Sequence, residues 1–166
     1  MKFSLFYLFL FTTAISLNSC STDSTNSIDT ELSALLDENF IYNEIELEEM
    51  KLINAHRVSI GLKVLQKIDY ISKKAEEHNY YMIANNAISH DGFVARSESI
   101  TKAVGAKSVS ENLAYNYATA QEALTAWLNS PTHKVTIEGD FTHFGIAVRE
   151  NTTTGKKYYT NIFVKI

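Results

Sequence analysis

The chain has 166 residues, of which 45% are apolar and 20% are charged, a balance typical of one globular domain with some additional sequence. The formal net charge is −4 and no block of Lys and Arg occurs, which argues against a nucleic-acid partner because phosphate binding needs clustered cations. Cys20 is the only cysteine, so an intrachain disulfide is excluded. The domain must therefore be stabilised by its apolar core.

The N-terminal segment predicts export and anchoring. Residues 1–19 contain one Lys, an apolar stretch and then small residues, as in a secretory signal peptide. The sequence Leu17-Asn18-Ser19-Cys20 resembles a bacterial lipobox, in which the cysteine becomes the acylated first residue of a lipoprotein. We therefore expect lipidation at Cys20, contact with a membrane through its acyl chains, and a location in the cell envelope, at the outer membrane, periplasm or cell surface. The alternative is a plain signal peptide followed by a chance cysteine.

The rest of the chain divides into a tether and one domain. Residues 20–42 begin with the expected lipidated cysteine and continue as a polar tether, and residues 43–166 form the domain. Within it, hydrophobic periodicity predicts helices at residues 43–60, 69–86, 97–104 and 119–129. Thr119 and Glu122 have the spacing of a capping box, and Pro131 is expected to end that helix.

Two strands are expected after the helices. Apolar residues alternate in residues 143–148, and residues 158–166 are apolar on both faces, as in a central strand. Gly155 lies between them and suits a hairpin connection. Because the helices precede the antiparallel strands, the predicted fold class is α+β.

Three residues are candidates for chemistry. His90 lies in a loop after the second helix, and Glu111 interrupts a mild, mostly apolar run. His143 opens a strand on which Gly145 and Ala147 share its face, and small side chains beside an imidazole are typical of a cleft floor. By contrast, His56 and His78 lie on apolar helical stripes and are assigned to packing, and Asn54 and Arg57 are assigned structural roles.

An ordered series of motifs covers about residues 45–166. The motifs are L-x-N-x-x-R-x-x-x-G-L-x-x-L from Leu52 to Leu65, Ala75 with His78 and Met82, Ser89-His90, E-N-L-A from Glu111 to Ala114, W-x-N-S-P-x-H from Trp127 to His133, and F-T-H-F-G-I-A-V from Phe141 to Val148. In their order and spacing these motifs resemble the CAP superfamily, the cysteine-rich secretory, antigen 5 and pathogenesis-related proteins, also called the SCP domain. The similarity is greatest to the bacterial branch.

The resemblance implies a single α-β-α sandwich with a small antiparallel sheet between helices and a central cleft. Animal and plant members hold two histidines and two acidic residues there, and the histidines can bind a divalent cation, often zinc. Carried over to this chain, His90 and His143 are the metal ligands and Glu111 is one acid; the second acid is missing. The residues expected to line the cleft are Glu111, Asn112, Ser130 and His133.

Three functions remain open on this interpretation. The first is a binding module that takes a divalent metal, expected to be Zn²⁺, and/or a small lipid, glycan or peptide. The second is a metal-assisted hydrolase of ester or peptide bonds, with Glu111 as candidate catalytic base. The third is a structural surface-interaction protein, in which the histidines form a buried polar network without a ligand. Whether the protein is an enzyme is left undecided.

Overall fold

The computed structural model describes residues 39–166 of the chain. The expected signal peptide, the lipidation site Cys20 and the tether up to residue 38 lie outside this range. No helix in the described range has both the length and the apolar character that crossing a bilayer requires. The elements in chain order are α1 (Glu44–Ser59), β1 (Gln66–Lys67), α2 (Asp69–Asn85), α3 (Phe93–Val104), β2 (Ser108–Tyr115), α4 (Ala120–Asn129), α5 (Pro131–Ile137), β3 (His143–Asn151) and β4 (Lys156–Lys165).

The four strands form one mixed sheet in the order β1-β3-β4-β2. The β3–β4 and β4–β2 pairs are antiparallel, whereas the short β1 is parallel to β3. β4 is therefore central, as its two apolar faces predict. β2 is an outer strand, and one row across the sheet runs from Glu111 through Ile162 to Gly145.

Helices cover both faces of the sheet. On one face, α2 and α3 pack residues such as Ile71 and Ile100 against Ile162 of β4. On the other face, α1 and α4 pack residues such as Ile53 and Trp127 against the sheet. Because each face has its own apolar cluster, the molecule is an α-β-α sandwich, and the predicted α+β class is confirmed.

Capping side chains define where the two helices of the second face begin. At α1, the Asn43 side chain accepts a hydrogen bond from the Glu46 backbone N–H, and the Glu46 carboxylate accepts one from Asn43. At α4, Thr119 and Glu122 form the predicted capping box. Each box satisfies two backbone donors that a helix start otherwise leaves unpaired.

Four elements differ from the sequence-based expectation. β1, β2 and α5 were not predicted, and α3 begins at Phe93 rather than at residue 97. Pro131 does follow the end of α4, but it is also the first residue of α5, a position where the missing N–H and fixed φ of proline are favourable. β2 escapes a pattern-based prediction because adjacent polar residues, Glu111 and Asn112, lie in its middle and are both buried.

Candidate functional site

Glu111 is the centre of the candidate site. Its register with Ile162 and Gly145 directs it to the sheet face that α2 and α3 cover, and its side chain is only 1% exposed. Arg96 of α3 holds the carboxylate through two hydrogen bonds, Nε to Oε2 at 2.8 Å and Nη2 to Oε1 at 2.9 Å. A buried carboxylate is tolerated when it is paired and hydrogen-bonded, so Arg96 is the residue that allows Glu111 to be there.

His90 completes the contacts of this carboxylate. Its Nδ1 lies 2.9 Å from Oε1 of Glu111, while the imidazole side chain is 55% exposed. Because a carboxylate oxygen accepts hydrogen bonds, Nδ1 donates, and in the neutral ring Nε2 keeps its lone pair. The buried end of the ring is thus fixed, and Nε2 is available to a ligand from the solvent side.

His78 lies behind this pair. Its Nε2 donates to the backbone carbonyl of Ser89 at 2.8 Å and is 3.9 Å from Oε1 of Glu111. Burial lowers the pKa of His78, and the nearby Glu111 charge only partly opposes this. The ring also stacks on Tyr81, with centroids 5.9 Å apart. His78, assigned to packing from its sequence position, supports the loop that carries His90.

His133 lies on α5, close enough to His90 for the charge of His90 to act on its imidazole. Its backbone carbonyl accepts a hydrogen bond of 2.9 Å from Nδ2 of Asn112, which fixes the first turn of α5 against β2. Burial, and secondarily the charge of His90, lowers the pKa of His133. Ser130 precedes α5 and its hydroxyl lies 3.2 Å from that of Thr132. We refer to His90, Glu111 and His133 as the β2-edge site.

Among the described residues, His143 makes no hydrogen bond or ion pair with this site. The Nδ1 atom of His143 bonds to the Thr142 hydroxyl at 2.9 Å, and its strand β3 is separated from β2 by β4. Neighbouring strands lie about 4.8 Å apart, so the His143 backbone is about 10 Å across the sheet from β2. His143 instead lines a separate concavity of about 640 Å³ that also includes Arg57 and Lys165. Among the described residues, the hydrogen bonds and ion pairs of His90 and Glu111 do not include His143, so the expected convergence of the three side chains stays a prediction.

Gly145 and Ala147 do not form a cleft floor either. A Cβ placed on Gly145 would lie 2.4 Å from the backbone nitrogen of Ser72 and 2.5 Å from the carbonyl carbon of Ile71. Ala147 is fully buried in the cluster that α2 forms with the sheet. The small residues on this face allow the backbone of α2 to approach the sheet, so the space that the sequence suggested is filled by a helix.

The donor set for a metal is correspondingly small. Within residues 39–166, no group of three or more His, Cys, Asp or Glu side chains could hold a metal ion. Both oxygens of Glu111 are already engaged by Arg96 and His90. The protein nitrogens that suit a divalent ion here are those of two imidazoles, Nε2 of His90 and the ring of His133.

A cleft of about 370 Å³ opens beside the β2-edge site, between α2 and α3. His78 and Arg96 form part of its wall, so it adjoins the partners of Glu111. Charges of both signs border it, from Lys74 and Arg96 to Glu77 and Asp91. It therefore favours a polar ligand or polar group over a purely apolar one.

Sequence reasoning missed Arg96. The sequence signal for Arg96 is indirect, because a carboxylate in a buried strand requires a cationic partner. That strand was not predicted, and several Lys and Arg residues precede it. The structural assignments of Asn54 and Arg57 agree with their contacts. Asn54 bonds to the backbone of Leu65 in both directions, and Arg57 donates to backbone carbonyls at Lys63, Ile137, Gly139 and Phe141.

Comparisons with known proteins define the class. Residues 50–164 match the CAP family, described as the cysteine-rich secretory protein family. The chain is 32% identical over 124 residues to the uncharacterized membrane protein YlbC of Bacillus subtilis (strain 168), covering 72% of this chain and 34% of that protein. It is 31% identical over 134 residues to the uncharacterized protein YkwD of the same organism, covering 78% and 48%. The chain thus spans less than half the length of these curated relatives.

Solved structures share the fold. An outer surface protein from Borrelia burgdorferi superposes with a TM-score of 0.64 at 22% identity, covering 75% of this chain and 96% of that one. An extracellular protein containing an SCP domain from Bacillus anthracis superposes with a TM-score of 0.62 at 26% identity, covering 78% of this chain and 45% of that one. The fold is an α-β-α sandwich of the SCP type. The chain belongs to the CAP family.

Proposed function

We propose that this CAP domain is an exported binding module whose ligand contacts the β2-edge site through the imidazoles of His90 and His133. The observation that carries the proposal is the contact of 2.9 Å between Nδ1 of His90 and the buried Glu111 carboxylate. A carboxylate that accepts a hydrogen bond from one ring nitrogen fixes the orientation of the imidazole. The other ring nitrogen then becomes a better metal ligand or a better hydrogen-bond acceptor.

A divalent cation fits this arrangement as a ligand of two imidazoles. Nε2 of His90 and the ring of His133 would hold it, and Zn²⁺ suits neutral imidazole donors. The lowered pKa of His133 keeps that ring neutral near pH 7, as metal binding requires. When bound, the ion supplies open positions at which an oxygen-containing lipid headgroup, glycan or peptide is held.

The binding role is favoured over hydrolysis by the state of Glu111. A general base must have an oxygen that can reach a water molecule or substrate proton. Arg96 and His90 occupy both oxygens of this carboxylate, and the side chain is 1% exposed. Glu111 therefore serves better as a residue that orients His90 than as a catalytic base.

Zinc titration of the purified full chain by calorimetry tests this proposal. We expect His90→Ala and His133→Ala each to weaken zinc binding by about tenfold or more, the usual effect of losing a ligand or its support. The matched control is His143→Ala, which removes an imidazole that bonds to Thr142 away from the site and should leave the affinity unchanged. Equal losses in the His143 and His90 variants would contradict the proposal.

The site of action is also part of the proposal. Relatives of this chain carry the descriptions outer surface protein, extracellular protein and membrane protein. Together with the lipobox-like sequence ending at Cys20, these descriptions support an exported domain held at a membrane by acyl chains. Labelling cells with a fatty acid should mark the wild-type protein and not the Cys20→Ser variant, and an unlabelled wild-type protein would exclude acylation.

A further inference from the structure

A second buried carboxyl group lies on the other face of the sheet and has no role in the β2-edge site. Glu49 of α1 is fully buried, and neither of its carboxyl oxygens has a hydrogen-bonding partner among the described residues. Burial raises the pKa of Glu49 to about 8. A buried polar group without a partner is costly, so its retention in an apolar layer requires an explanation.

Asn161 has the same unmet requirement in the same layer. Both its amide nitrogen and its amide oxygen are buried without a partner in the described protein. On β4 it alternates with Tyr159 and Phe163, so the three side chains point to one face. Tyr159 and Phe163 belong to the apolar cluster that also contains Met50 of α1, the residue next to Glu49. Glu49 lies on the buried stripe of α1 with Met50 and Ile53, and its charge acts on Tyr159, so Glu49 and Asn161 border the same layer between α1 and the sheet.

The two groups are chemically complementary but do not touch. A neutral carboxyl group has one donor and acceptor capacity, and an amide has two donors and one acceptor. Direct pairing would satisfy both, yet neither group has a partner within hydrogen-bond distance in residues 39–166. A buried water molecule forms about three hydrogen bonds to groups of this kind, which makes water the matching ligand.

We propose that the layer between α1 and β4 contains an internal hydration site in which ordered water joins the Glu49 carboxyl group to the Asn161 amide. The site belongs to the folded core. It explains why two polar side chains are retained among Met50, Ile53 and Phe163. Bridging water satisfies groups that apolar packing would leave unpaired.

The surroundings favour the neutral acid in this site. Burial is the only cause that raises the pKa of Glu49, so no nearby cation stabilises its charged form. The titratable group that faces it from β4 is Tyr159, whose phenol donates to the Tyr117 carbonyl and whose pKa burial raises to about 12. Glu122 of α4 acts on the same phenol, and Glu46, one turn earlier on α1, is bound to Arg149.

A crystal structure of the purified full chain at high resolution tests the proposal directly. We expect an ordered water within hydrogen-bond distance of both the Glu49 carboxyl group and the Asn161 amide. A direct contact between the two side chains, or an apolar space with no water, would overturn the proposal. This experiment needs no variant, so it does not depend on whether a substituted chain folds.

A double-mutant cycle provides a second, solution test. Glu49→Leu and Asn161→Leu each remove one group and leave the water and the other group incompletely bonded, whereas the double variant removes the whole polar set. If the two groups share one site, the effects of the single substitutions overlap. The unfolding constant of the double variant should then rise about tenfold less than the product of the two single-variant increases, a coupling of the usual size for linked groups. Unfolding is followed by fluorescence of Trp127, the only tryptophan of the chain. Independent effects of the two substitutions would contradict a shared site.

Discussion

Two buried glutamates on opposite faces of one sheet show two ways of placing a carboxyl group inside a protein. Glu111 is held by Arg96 and His90, with three hydrogen bonds between 2.8 and 2.9 Å. Glu49 lies among apolar side chains, and neither of its oxygens is bonded within the described protein. The first arrangement stabilises an ion, whereas the second stabilises a neutral acid.

This difference separates a site from a core. The Glu111 network ends at an exposed imidazole, so its electrostatics reach the surface, where a ligand can respond to them. The Glu49 carboxyl group has no comparable exit and affects only the stability of the fold. A buried carboxylate is therefore informative about function when its hydrogen-bonding partners extend to the protein surface. We expect Glu111 and Glu49 to respond differently to substitution and pH.

The largest expected effect is from removing the cation on the Glu111 face. Arg96→Ala leaves a buried carboxylate with only the His90 contact, and breaking a buried ion pair from one side costs about 3–5 kcal/mol of unfolding free energy. Denaturant unfolding followed by Trp127 fluorescence measures it. The control is Lys165→Ala, which breaks a pair with Asp140, whose side chain is 88% exposed, and should cost less than about 1 kcal/mol. Similar losses in the two variants would mean that Glu111 does not depend on Arg96.

On the opposite face, the expected effect is a dependence of stability on pH. Burial raises the pKa of Glu49 in the folded chain to about 8, from an ordinary value of 4.5. Between pH 4.5 and pH 8 the folded chain therefore keeps a proton that the unfolded chain has released. The contribution is complete below pH 4.5 and is lost as pH rises towards 8, by about 1.4 kcal/mol per pH unit, or about 5 kcal/mol in total.

Glu49→Gln isolates that contribution because an amide of similar size does not titrate. Unfolding free energies of both proteins between pH 5 and pH 8 should give a smaller decline for the variant, by about 3–4 kcal/mol, the part of the contribution that falls in this range. Parallel curves for the variant and the wild type would show that Glu49 has an ordinary pKa in the folded protein. Glu111→Gln is a poor substitute as control, since it also removes the charge that Arg96 requires.

The close approach of α2 to the Glu111 face gives a further prediction. In Gly145→Ala the new methyl group meets the backbone of Ile71 and Ser72, so the helix has to move, at a cost of about 1–3 kcal/mol. Amide chemical shifts at residues 71 and 72 should change. Gly155→Ala is the control: a Cβ at Gly155 meets no atom within 4 Å, and its strain comes from a φ of +68° in the β3–β4 turn. Unchanged α2 shifts in the Gly145 variant would contradict this packing.

Much of the fold could be predicted from the sequence because local patterns specify it. The apolar periodicity of α2 and the capping box at Thr119 are properties of short segments, and both agree with the structure. β2 could not be predicted in this way. Its buried Glu111 and Asn112 are satisfied by Arg96 and by the His133 carbonyl, which are distant in the chain. Polar residues in a strand are acceptable only with such partners, and a pattern search does not include them.

The candidate site could be predicted only in part for a related reason. The sequence singled out His90 and Glu111, which the structure joins at 2.9 Å. It also interpreted Gly145 and Ala147 as an opening beside His143, because small residues indicate space without indicating what fills it. Here the backbone of α2 fills it. His133, predicted to line the cleft, follows a proline that is expected to end a helix but is also the first residue of α5.

The smallest expected effect, a shift in the pKa of His133, tests which histidine lies beside His90. After burial, the charge of His90 is the second cause that lowers the pKa of His133. In His90→Ala this charge is absent, so the pKa of His133 should rise towards its ordinary value while the Arg96–Glu111 pair keeps the fold intact. NMR titration of the imidazole protons measures the shift, with His143→Ala as the matched control. A shift in the His90 variant and none in the His143 variant establishes that the two imidazoles across the edge of β2 share one electrostatic environment. The reverse result, a shift in the His143 variant alone, would place His133 beside His143 instead of His90 and would remove His133 from the β2-edge site.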